Sequence, residues 1–109
     1  MGKIDQRKDS RYEFDELATM SLEGLPSTRL VVRVLDISRV GLRIRASLTF
    51  TVGSRVEVVL RGVKVFGQIK YSRNLGEEGF NLGIQADRAS DGAEVPKVEM
   101  DLTVLFGRH

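Results

Sequence analysis

The feature that most constrains this chain is a side-chain period close to two. It runs from Tyr12 to Ala86 and is punctuated by glycine-bearing turns. Successive residues of a strand face opposite sides, so such a period gives each strand one apolar face and one wet face. Phe14, Ala18, Met20 and Leu22 share a face of a first strand, interrupted by Glu16, and Gly24, Pro26 and Ser27 predict a turn. Residues 29–35, rich in β-branched side chains, read as a second strand, and residues 38–41 as a turn. Leu42, Ile44 and Ala46 alternate with Arg43 and Arg45, which predicts a half-buried third strand with a basic outer face. After a turn at 51–54, Val56, Val58 and Leu60 mark a fourth strand, broken by Gly62. Val63, Val65, Ile69 and Tyr71 are assigned one face of a fifth strand, with Gly67 marking a bulge or barrel corner. Residues 74–79 form an exposed loop, and Phe80, Leu82, Ile84 and Ala86 line a sixth strand. Six short strands at a spacing of about ten residues predict an all-β barrel or sandwich. The tail changes period. Val98, Leu102 and Leu105 recur at helical spacing and Pro96 suits a first helical turn, so a C-terminal helix is expected over about residues 95–106.

Composition narrows the chemistry. The chain has 109 residues, enough for one domain whose core needs no staple. It has no cysteine, and its single histidine is the terminal His109, which leaves no thiolate zinc site, cysteine nucleophile or histidine-based triad. Neither a catalytic residue nor a metal ligand set is assigned, and the protein is expected not to be an enzyme. Glu77 and Glu78 are adjacent, but on a glycine-flanked loop they read as a solvated tip. No apolar run reaches membrane-spanning length, and the polar N-terminus is no secretory signal. Gln6 stands where myristoylation wants Ser or Thr. These features predict a soluble, cytoplasmic protein. Net charge is only +2, yet the basic set is twelve arginines to five lysines. That excess suits forked or stacked contacts to phosphates and bases, although compositional bias produces the same excess.

Two motifs then matter. Arg7-Lys8-Asp9-Ser10-Arg11 is an R-x-x-x-R, and Asp36-Ile37-Ser38-Arg39-Val40-Gly41 is a D-x-S-x-x-G. Either alone is weak: Arg29 and Arg33 are also four apart, as are Arg39 and Arg43. Together and in this order they resemble the signature of the PilZ family. The continuation matches too, ending near the segment Leu82-Gly83-Ile84, although Ala86-Asp87 stands where the family usually has a phenylalanine. The resemblance covers about residues 6–87. It implies a six-stranded antiparallel PilZ-type β-barrel whose usual ligand is cyclic di-GMP.

On that resemblance the ligand-binding residues are Arg7, Arg11, Asp36, Ser38 and Gly41. A guanidinium forks onto a phosphate or onto guanine O6 and N7, and stacks on a base. Asp36 offers a carboxylate to the donors of the guanine Watson–Crick edge, Ser38 a hydroxyl that gives and takes a hydrogen bond, and Gly41 a close backbone approach. Arg39 and Arg73 are further candidate contacts, and Gly83 is assigned to packing. Residues 1–12 hold only Met1, Ile4 and Tyr12 as apolar side chains and read as a flexible arm carrying R-x-x-x-R. Residues 13–109 read as one barrel domain with its helix. The expected function is to bind cyclic di-GMP, with no other cofactor, and to relay it to an unnamed protein partner. The alternatives are a PilZ-like adapter acting without ligand and a nucleic-acid-binding barrel suggested by Arg43 and Arg45. A modest net charge and few exposed aromatics argue against the latter.

Overall fold

The computed structural model describes residues 12–90 and 100–106. Its elements are β1 (Tyr12–Leu22), β2 (Leu25–Ile37), β3 (Gly41–Ala46), β4 (Arg55–Leu60), β5 (Val63–Asn74), β6 (Phe80–Ser90) and a short helix α1 (Leu102–Phe106), with a turn of 3₁₀-helix at Gly76–Glu78. The strands close in the order β1-β2-β3-β6-β5-β4, every neighbour antiparallel. Pairing of β1 with β4 completes the ring, so no sheet edge is left open.

The period of two does what it predicts along most of this ring. Met20, Val34, Ile44, Val58, Leu60, Ile69 and Leu82 point inward and are essentially inaccessible to solvent. Arg43 and Arg45 alternate outward on β3. Burial of these aliphatic side chains, worth roughly 1.5–3 kcal/mol each, is the main stabilising contribution.

Two expectations about the strands fail locally. β2 begins at Leu25, so Pro26 is not in the turn but stands exposed at the start of a strand, a position where its missing N–H is tolerated. The turn is Glu23–Gly24, and the φ of +83° at Gly24 carries no Cβ penalty. Tyr71 does not share the core face of Val65 and Ile69. Ile69 pairs with Ile84 and Tyr71 with Gly83, so Lys70 is an extra residue and the strand flips face there. The register shift expected near Gly67 is present, between Phe66 and Gly67.

The C-terminal helix exists but starts later than its period suggests. Met100 and Asp101 are not helical. Asp101 caps the helix, its Oδ1 accepting from the Thr103 backbone N–H at 3.0 Å. Leu102 and Phe106 are the buried face, whereas Leu105 is 37% exposed. Pro96 and Val98 lie outside the described residues. The ring of Phe106 meets Phe14 edge-on at 6.2 Å, and Arg61 lies over Phe14 at 4.9 Å. Arg61 also donates to the Phe106 carbonyl at 3.3 Å and pairs with Glu16. The helix is thereby held against one end of the ring.

Candidate functional site

Strict alternation in β2 would send Asp36 inward behind Val32 and Val34. A register shift prevents this. Val34 pairs with Ile44 and Asp36 with Arg43, leaving Leu35 as an extra residue. The bulge returns Ile37 to the core and turns Asp36 to the outer face beside Arg43. Arg43 donates from Nε and Nη2 to Asp36 Oδ2 at 2.8 and 2.6 Å. Asp36 is only 5% exposed, while the Arg43 side chain is 43% exposed. Bonding to Asp36 holds the Arg43 guanidinium in its charged form more firmly than usual, against the opposing cost of its partial burial.

The turn that follows is tied to three elements. Its ends are bridged by the Ser38 N–H donating to the Gly41 carbonyl at 2.9 Å. Val40 accepts from the Ala86 N–H of β6 at 2.7 Å, and Arg39 accepts from the Leu102 N–H of α1 at 2.7 Å. Arg39 also reaches the Asp101 carboxylate at 3.6 Å. Ser38 is buried. A Cβ on Gly41 would come within 3.1 Å of Ser38 Oγ and 3.4 Å of the Ile84 carbonyl, so any larger residue there crowds the turn.

Pairing extends the site sideways. Asp36 on β2 faces Arg43 on β3, Arg43 faces Gly83 on β6, and Gly83 faces Tyr71 on β5. These four residues make one lateral row on the outside of the ring. A second row, one pair along, runs Arg33–Arg45–Asn81–Arg73. Arg45 Nε donates to Asn81 Oδ1 at 2.9 Å, and Arg33 pairs with Asp15 at 2.8 Å.

Of the five site residues expected from sequence, Asp36, Ser38 and Gly41 are brought together. Arg7 and Arg11 lie outside the described residues. Tyr12, the residue after Arg11, pairs with Ile37, between Asp36 and Ser38. Arg39 adjoins the site through the turn, and Arg73 belongs to the second row. Sequence reasoning missed Arg43 as the partner of Asp36 and Tyr71 as an outer-face ring. The parity of Arg43 against Leu42 and Ile44 was visible, but the two bulges that bring these side chains into one row were not.

A family model described as PilZ domain matches residues 5–95. The chain belongs to the PilZ domain family. No curated protein matches it. Among solved structures, a protein titled Bacillus subtilis inhibitor of motility (MotI/DgrA) superposes with a TM-score of 0.58 at 15% identity. The superposition covers 82% of this chain and 46% of that one, so this chain spans about half the length of that protein. At this identity the likeness concerns the fold. The D-x-S-x-x-G turn of the PilZ signature is thus the turn that joins β2 to β3, with its Asp36 carboxylate facing the outer surface of the ring. Among the described residues there is no group of His, Cys, Asp and Glu side chains that would hold a metal ion, and no helix long and apolar enough to cross a membrane.

Proposed function

We propose that this PilZ domain is a cytoplasmic receptor for cyclic di-GMP that works by binding rather than by catalysis. The observation that supports the reading is the gathering of the second motif at one turn, beside Tyr12, the residue that follows the first motif. Asp36, Ser38 and Gly41 are gathered at one turn, and the strand pairing at Tyr12–Ile37 leads the chain to that turn one covalent step from Arg11. A ligand with two phosphodiesters and two guanines suits such a set. Arg7 and Arg11 fork onto phosphate or onto guanine O6 and N7, and the carboxylate and hydroxyl take the donors of the Watson–Crick edge. Arg43 adds a cation already oriented by Asp36. The bound state then presents arm and ring as one surface to a protein partner.

Calorimetric titration of the full chain with cyclic di-GMP tests this. Binding at micromolar concentration or tighter is expected, with GTP, GMP and cyclic di-AMP much weaker, because adenine has an amino donor where guanine has O6. Absence of any heat at high ligand concentration would sink the receptor reading and favour the adapter that acts without ligand.

A further inference from the structure

We infer that Glu13 is an electrostatic brake on the ligand site: its carboxylate, directly across from Asp36, repels the phosphates of the nucleotide and sets the concentration at which the domain fills. This rests on the ligand reading above and concerns the regulation of that same site.

Three observations carry it. First, register places the charge. Glu13 on β1 pairs with Asp36 on β2. Directly opposite residues of an antiparallel pair point to the same side, with Cβ atoms about 5 Å apart. Glu13 is exposed and its neighbour Phe14 packs against the core, so Glu13 extends the Asp36–Arg43 row on the outer face. Second, a bulge delivers it there. Glu16 pairs with Val34 and Glu13 with Asp36, so β1 carries one extra residue between them. Without that residue Phe14 would stand opposite Asp36. The bulge is held by Asp15, which has a φ of +52°, rare for a side-chain-bearing residue, and whose carboxylate accepts from Arg33 at 2.8 Å. Third, the charge is unanswered. Asp15, Glu16 and Glu78 meet Arg33, Arg61 and Arg45, whereas among the described residues the Glu13 side chain has no such partner. A carboxylate serving only solubility gains nothing from standing opposite another, an arrangement that costs stability. The row thus sets two carboxylates against the one guanidinium of Arg43, and a ligand with two phosphodiesters adds to the excess. Glu13 lies within a Debye length of anything bound beside Asp36. One unit charge at that range changes affinity by about three- to tenfold.

Calorimetric titration of the full chain with cyclic di-GMP, at two salt concentrations, tests the brake. At about 0.1 M salt, where the Debye length is about 10 Å, Glu13→Gln is expected to bind about three- to tenfold tighter than the parent. Glu13→Asp keeps the charge and should stay within about twofold of the parent. At about 1 M salt the Debye length falls to about 3 Å, and the gain of Glu13→Gln should shrink to within about twofold. The melting temperature of free Glu13→Gln should equal or slightly exceed the parent's, because a like-charge pair is removed. If Glu13→Gln binds no tighter than the parent at low salt, or if its gain persists undiminished at high salt, the brake is wrong and the receptor reading stands. If neither the parent nor Glu13→Gln binds, the receptor reading fails and takes the brake with it.

Discussion

At the scale of single residues, the site separates into side chains that hold the fold and side chains free to meet a ligand, and substitutions should sort the same way. Arg7→Ala or Arg11→Ala is expected to weaken cyclic di-GMP binding by about 2 kcal/mol, the loss of one charge-assisted partner. Arg29→Ala is the control: it has the same spacing to Arg33, lies on the exposed side of β2, and should leave the calorimetric affinity unchanged. Arg43 has a double part. It is the donor to a carboxylate that is 5% exposed, and its removal leaves that buried acceptor short of two bonds. Arg43→Ala is therefore expected to cost about 1–3 kcal/mol in chemical denaturation of the free protein, besides weakening the ligand. Arg45→Ala, which frees a partly buried asparagine and the well-exposed Glu78, should cost less.

At the scale of elements, the close backbone approaches decide what each strand tolerates. A Cβ on Gly67 would lie 2.3 Å from the Gln85 carbonyl and 2.8 Å from Ala86 Cα, both backbone atoms of β6 that cannot step aside. Gly67→Ala is expected to lower stability by about 1–3 kcal/mol, the usual range for overpacking, as measured by urea denaturation. The helix α1 is a five-residue element and cannot stand by its own hydrogen bonds. It is held by Leu102 and Phe106 in the core, by the Arg61 contact, and by the Asp101 cap. Its first N–H is bonded to Arg39, inside the D-x-S-x-x-G turn, so helix and site share a backbone bond. Asp101→Ala removes both the cap and the carboxylate beside Arg39. A loss of about 1 kcal/mol is expected, visible as a lower melting temperature.

At the scale of the whole molecule, the outer face is laced by arginine–carboxylate pairs, and these set its acid response. Bonding to Arg55 holds the Asp87 carboxyl below its ordinary value of 3.8, and bonding to Arg61 holds Glu16 below 4.5. Carboxyls lowered in the folded state contribute stability that is fully present above the ordinary values and is lost as pH falls through the lowered ones. Stability is thus expected to be flat near neutrality and to decline below about pH 4.5. Both side chains are well exposed, so each pair contributes under about 1 kcal/mol. Urea titrations at pH 7 and pH 3 on the parent and on Asp87→Asn with Glu16→Gln check this; the double variant should show the shallower decline. Ligand should act on the molecule differently. Amide exchange of residues 1–11 is expected to be fast in the free protein and to slow markedly with cyclic di-GMP, while β4 on the other side of the ring hardly changes. An arm equally protected in both states would defeat the relay mechanism even with binding confirmed.

The all-β architecture, the inward faces of most strands and the two motifs are legible in the order of residues alone. Alternation and turn glycines act within a few residues, and the burial of Val56, Val58 and Leu60 or of Leu42, Ile44 and Ala46 follows from them directly. The outward parity of Arg43 was legible for the same reason. Where that parity breaks is set by the pairing of strands. A bulge is a property of two strands, one carrying a residue more than its partner, and neither Leu35 nor Lys70 advertises it alone. Those two extra residues turn Asp36 and Tyr71 from the core to the outer face. Ring closure in the order β1-β2-β3-β6-β5-β4 then sets them in one row with Arg43, residues from distant parts of the chain joined by hydrogen-bonded register.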